Sequence, residues 1–156
     1  ARVRVILKET PGEKTKKFLN DVFKKMNVYV QMIIEEDDEA VYVRIEGEDS
    51  GIIIGRRGET LEALQYLSCL AINNGKEGYK KVIIDIENYR KKREDALVRL
   101  SYKLAERVVK SKKNITLEPM SPYERRIIHS ALQNNRYVKT YSIGDEPNRK
   151  VVITLK

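Results

Sequence analysis

The 156-residue chain holds one cysteine and one histidine. A lone Cys69 cannot close an internal disulfide, which points to a reducing, cytoplasmic setting. Cys69 falls in an amphipathic stretch and reads as a small hydrophobe rather than a reactive thiol. One histidine and one cysteine are too few ligands for a zinc-type centre, so no metal is expected. His129 has no Ser/Asp or Cys partner pattern, so neither catalysis nor a cofactor is expected. No apolar run is long enough for a membrane span, and no signal peptide is visible. A P-loop and a dinucleotide fingerprint are missing as well.

What the chain has is charge. It carries 31 Lys and Arg against 23 Asp and Glu, a formal net charge of +8. That balance suits an anionic partner, nucleic acid first and an anionic membrane surface second. Hydrophobic residues make up 41%, enough to build a core.

Thr10-Pro11-Gly12-Glu13 is a capping box with proline in the first turn, and it predicts a helix over Pro11–Met26. Val28–Ile34 and Ala40–Glu46 read as strands joined by the acidic turn Glu35–Glu39. Asp49 or Ser50 is expected to cap one short helical turn. Leu61, Leu64, Leu67 and Ala71 mark the apolar face of a further helix, and Lys81–Ile86 is a third strand. Beyond Asn88 the pattern changes. Leu97, Leu100, Leu104 and Val108 predict a long helix that opens on Arg90-Lys91-Lys92-Arg93. A short strand is expected over Ile115–Glu118. Ser121-Pro122-Tyr123-Glu124 is a second capping box, and two strands, Tyr137–Ile143 and Lys150–Leu155, close the chain. The fold class is α+β, with two small domains over 9–88 and 89–156 and no flexible linker between them.

Between Ile54 and Thr60 the sequence reads Gly55-Arg56-Arg57-Gly58-Glu59. Glycines at both ends of a two-residue turn let backbone approach a ligand closely. The N–H groups opening the next helix lack partners and favour an anion. Arg56 and Arg57 add positive charge at the same place, while Glu59 and Glu62 weaken it. These features describe a clamp for a sugar-phosphate backbone.

The stretch DSGIIIGRRGETLEALQYL resembles the signature of a bacterial type II KH domain, whose αββααβ plan matches the predicted element order. That resemblance implies binding of single-stranded nucleic acid, with Gly55, Arg56, Arg57 and Gly58 as the clamping loop. It also makes Ile53, Ile54 and Leu61 candidates for an apolar groove under the bases.

His129 and Arg125 stand four apart in SPYERRIIHSALQNN. On a helix Tyr123, Ile127, Ile128, Ala131 and Leu132 fill one side; Arg125, Arg126, His129 and Gln133 fall on the other. Structural, catalytic or metal-binding, and nucleic-acid-binding readings compete for a lone histidine; the second lacks partner residues, and helical spacing alone does not decide among them. An Arg-x-x-x-His pair within two helices and a three-stranded sheet is similar to the R-three-H domain. A KH domain followed directly by it resembles the bacterial Jag, or SpoIIIJ-associated, family. The family usually carries a further N-terminal Jag domain, for which no counterpart is expected here. Ala1–Lys8 reads as a linker or an added strand.

The resemblance implies a cytoplasmic bacterial protein that binds single-stranded RNA, with DNA as the other candidate ligand. Relatives linked to sporulation, cell shape or envelope growth extend the expectation. An adaptor for a membrane insertase or another envelope protein is the alternative, and a nuclease is the weakest reading. Salt-sensitive binding to short single strands separates the first two. Tyr29, Tyr42, Tyr137 and Tyr141 are expected to pack on strands. The acidic hairpin tip should point away from any nucleic acid.

Overall fold

The computed structural model describes residues 9–75 and 78–156, so the expectation for Ala1–Lys8 lies outside the described residues. The chain forms two compact units, Ala1–Arg90 and Lys91–Lys156.

In the first unit α1 spans Pro11–Met26, and its capping box is complete. Thr10 Oγ1 accepts from Glu13 N at 3.2 Å, and Thr10 N donates to the Glu13 carboxylate at 2.9 Å. Asn27 ends the helix in the left-handed conformation, and Val28 N is taken by Phe23 O. Tyr29 N donates instead to Asp49 Oδ2 at 2.9 Å. With both N–H groups occupied, the first strand starts later than its composition suggests. β1 is Gln31–Glu36, not Val28–Ile34, and it pairs antiparallel with β2, Ala40–Glu46. Glu35 and Glu36 therefore belong to the strand. The turn tightens to the residues around Asp37, whose Oδ1 accepts from Glu39 N and Ala40 N at 2.9 Å each. Those two backbone hydrogen bonds hold the Asp37 carboxyl below its usual range.

After β2 come α2, Ser50–Ile54, a 3-10 turn over Arg56–Gly58, and α3, Glu59–Asn73. Asp49 does not cap α2, because its carboxylate is committed to Tyr29. The buried stripe of α3 is Leu61, Leu64, Ser68 and Ile72; Leu67 and Ala71, expected inside, are exposed. β3, Lys81–Ile86, lies parallel to β2 and completes the sheet order β1-β2-β3. The core packs Leu19 and Phe23 of α1 and Leu61, Leu64 and Ile72 of α3 against Val41, Val43, Ile45, Ile84 and Ile86. Each such side chain contributes about 1.5–3 kcal/mol on burial.

The helix α4, Tyr89–Ser111, begins in the first unit and supplies the second with its longest element. β4 is Ile115–Thr116, α5 is Pro122–Leu132, β5 is Val138–Ile143 and β6 is Lys150–Leu155, with sheet order β4-β6-β5. Leu97, Ala105 and Val108 of α4 pack with Ile128, Leu132, Val138, Val151 and Ile153. Leu100 is exposed, and Ser101 takes its place in the stripe by donating to Leu97 O at 2.8 Å. Ser121 caps α5, but the Glu124 carboxylate does not return to close the box. It meets Arg93 Nε at 2.7 Å. Tyr123, expected on the buried side, is exposed.

The Arg93–Glu124 side chains are 31% and 8% exposed, whereas Lys91–Asp95 is an open pair at 70% and 47%. A buried carboxylate stripped of its cation is costly, and an exposed pair is worth little. Arg93→Met should therefore lower the stability of the second unit by about 2 kcal/mol in urea unfolding. Lys91→Met should change it by less than about 0.5 kcal/mol. Equal effects would contradict this assignment.

Candidate nucleic-acid interface

Three of the four residues in the Gly55–Gly58 turn have positive φ: Gly55 at 70°, Arg57 at 57° and Gly58 at 84°. Glycine takes that conformation without strain; a non-glycine residue there is uncommon. The turn is also tight. A Cβ at Gly55 would stand 2.0 Å from Thr60 Oγ1, and one at Gly58 2.8 Å from Tyr89 Cε1. The 3-10 turn feeds directly into α3, whose cap residue, Gly58, offers no side-chain acceptor. Both arginines therefore sit where backbone donors open a helix.

The groove residues named from the sequence fall differently. Ile53 is 0% exposed and Leu61 1%, so both are core, and neither can touch a base. A helical turn places consecutive aliphatic residues on different faces. Ile54 is half-buried, and Ile52, which spacing does not single out, is 55% exposed. Ile52 is thus the exposed aliphatic side chain of α2, and open space surrounds Gly51 beside it.

Along the free edge of β3 runs a row of side chains from α3. Gln65 Oε1 accepts from Ile84 N at 3.1 Å, Cys69 Sγ from Val82 N at 3.2 Å, and Asn73 Oδ1 from Lys80 N at 2.8 Å. Asn73 Nδ2 also donates to Lys80 O at 2.8 Å. Residues i, i+4 and i+8 of a helix thus answer alternate residues of a strand. Cys69 is therefore more than a small hydrophobe, since its sulfur occupies a strand-edge donor. Gln65, Tyr66, Cys69, Leu70, Asn73 and Tyr79 line a surface cavity of about 710 Å³. The four-residue spacing of Gln65, Cys69 and Asn73 was the signal in the sequence; apolar periodicity alone passed over it.

In the second unit α5 brings His129 against β5. Its Nδ1 lies 2.7 Å from Thr140 Oγ1 and its Nε2 2.8 Å from Ser142 Oγ. Both ring nitrogens are satisfied, so the half-buried imidazole is fixed in place rather than free to swing. Arg125 does not lie on an exposed face, as its side chain is 11% exposed. Its guanidinium pairs with the Glu146 carboxylate and donates to Met120 O. The chain fold brings the Gly144–Pro147 turn over this side of α5, which helical spacing could not show. Arg126 is exposed. Tyr29, Tyr42, Tyr137 and Tyr141, expected to pack on strands, are all exposed, and Tyr29 and Tyr137 lie just before β1 and β5.

Burial lowers the His129 pKa from its ordinary 6.5, and the Arg125 charge lowers it further. Between those two values the unfolded chain takes up a proton that the folded one refuses. The stabilising contribution is complete above 6.5 and is lost as pH falls through the folded value. Thermal melts from about pH 7 to pH 5 should show a smaller loss of stability for His129→Gln than for the parent. Parallel losses would contradict it.

Residues 13–86 match the family described as KhpA/KhpB, KH domain, and residues 95–155 match the R-three-H domain. RNA-binding protein KhpB of Clostridium symbiosum is 46% identical over 158 positions, covering 100% of this chain and 71% of that protein. RNA-binding protein KhpB of Bacillus subtilis (strain 168) is 40% identical over 158 positions, covering 100% of this chain and 76% of that protein. RNA-binding protein KhpB of Lactiplantibacillus plantarum is 31% identical over 139 positions, covering 89% of this chain and 43% of that protein. With a KH domain followed by an R-three-H domain and relatives matched along its whole length, the chain belongs to the KhpB, or Jag, family.

Proposed function

We propose that the chain binds single-stranded RNA through the Gly55–Gly58 loop, with a second contact on the α5 side of the R-three-H domain. The loop geometry carries the reading. Positive φ at Gly55, Arg57 and Gly58 turns the chain sharply and leaves Arg56 and Arg57 at the start of α3. A sugar-phosphate backbone laid there meets helix N–H groups and two guanidinium groups together. The net charge of +8 favours such a ligand, and the three named relatives are all called RNA-binding proteins. No reacting group is needed for this function. A bacterial post-transcriptional regulator acting in the cytoplasm is the role that fits it. Among the described residues, no helix is long and apolar enough to cross a membrane.

A protein-docking role is the second reading. The outer face of the first sheet exposes Ile33, Tyr42 and Ile83, rimmed by the Arg44–Glu35 pair. That face mixes both charge signs and suits protein better than nucleic acid. An insertase or another envelope protein is the partner class it would serve.

Replacing Arg56 and Arg57 together by Asp should abolish measurable binding of a short fluorescent RNA while leaving the circular dichroism spectrum unchanged. For the parent, about four phosphate contacts give a slope of log K against log salt near −3. Unchanged affinity in the double variant, or a flat salt dependence, would remove the loop as the site.

The second contact has its own test. Glu146 neutralises Arg125, so Glu146→Gln should raise affinity for a long single strand severalfold. The gain should vanish when Arg125→Ala is added, as a double-mutant cycle reads directly. If the gain persists without Arg125, the arginine serves the fold only.

A further inference from the structure

The free edge of β3 is already occupied. The outward N–H groups of Lys80, Val82 and Ile84 are taken by Asn73, Cys69 and Gln65, and the carbonyl of Lys80 by Asn73. A base lying beside the loop cannot pair with those backbone donors unless it displaces α3 side chains. Sequence readout there falls to side chains that still have hydrogen-bonding capacity.

Two such groups meet at the loop end of this row. Gln65 Oε1 accepts from Arg90 Nη2 at 3.1 Å as well as from Ile84 N. Its carboxamide oxygen is thus committed twice, which leaves the NH₂ group as the donor that the amide has to offer. Arg90 is exposed, and a guanidinium has further N–H groups beyond the one given to Gln65. Arg90 follows Tyr89, whose ring packs on Gly58 of the clamping loop. The pair therefore stands within the reach of a strand held by Arg56 and Arg57. Tyr66, next to Gln65, presents an exposed ring on the wall of the neighbouring cavity. Arg90 lies outside both matched regions, which end at residue 86 and resume at 95.

We propose that Arg90 and Gln65 read a guanine in the bound strand, donating to O6 and N7 of its Hoogsteen edge. The pairing follows from donor character. Neither group offers an acceptor, so the base edge must supply two. Guanine O6 and N7 form the edge that arginine binds bidentately, whereas adenine places an amino donor where O6 stands. Arg90 is tethered to Gln65 by its Nη2–Oε1 hydrogen bond, so the two donors stand side by side before the base arrives. Tyr66 provides a ring face on which the base or its neighbour stacks. The inference rests on the loop reading of the preceding subsection.

The test uses the full chain and short fluorescent RNAs that differ at one position: guanine, adenine or 7-deazaguanine. The parent should prefer guanine over adenine by about tenfold, and 7-deazaguanine should lose most of that preference. Arg90→Lys keeps the charge but loses the planar Nη2 link that sets the donor beside Gln65, so the guanine-to-adenine ratio should fall toward unity. An equal affinity for all three bases overturns the inference, provided the Arg56/Arg57 double variant still loses binding. A preference that survives in Arg90→Lys overturns it too. If the double variant binds like the parent, the loop reading itself falls, and this inference with it.

Discussion

The first unit depends on how closely two glycines are approached. Thr60 closes on Gly55 and Tyr89 on Gly58, at distances that leave no room for a Cβ. Both glycines also have positive φ. Steric space and backbone conformation thus make the same demand, and only glycine meets both. Between them Arg57 is held in a conformation that a side chain ordinarily avoids. Such strain persists where its surroundings fix it, and here the surroundings are α2, α3 and the first turn of α4. The charged turn is therefore fixed by the elements that flank it.

From that turn the helix α3 does two jobs with two faces. Its buried face carries Leu61, Leu64, Ser68 and Ile72 into the core. An adjacent row, Gln65, Cys69 and Asn73, covers the edge of β3. An uncovered edge strand invites pairing with other chains. Covering it with side chains keeps the edge closed while leaving an amide and a guanidinium at the loop end. The R-three-H domain uses a comparable arrangement around His129, where two hydroxyls of β5 satisfy both ring nitrogens. Nearby, the Glu146 carboxylate pairs with Arg125.

Local chemistry made much of this legible beforehand. The Thr10 capping box, the β2 alternation and the final strand Lys150–Leu155 follow from residue type and spacing alone. The glycine turn was legible because its residues have few other uses. What escaped depended on partners distant in sequence. Val28 and Tyr29 look like a strand, yet a helix cap and Asp49 claim their N–H groups. Ser68 and Ser101 are polar by composition, but each occupies a buried stripe where hydropathy alone would place Leu67 or Leu100. Ile53 and Leu61 were placed in a groove because they flank the loop, and burial assigns them to the core. Arg125 looked exposed until a turn some twenty residues on supplied Glu146. Periodicity finds faces; it does not find which neighbour covers them.

The proposed function depends most on contact between the Gly55–Gly58 turn and the nucleic-acid backbone. Amide chemical-shift mapping tests it most directly. A short single-stranded RNA is titrated into the isotope-labelled chain at low salt. The largest shifts should fall on the amides of Gly55 through Thr60, with smaller ones at Ile52, Gln65 and Arg90. The acidic tip around Asp37 should stay unchanged. Shifts confined to β1, β2 and β3 on the face of Ile33, Tyr42 and Ile83, with the loop unmoved, would contradict the account.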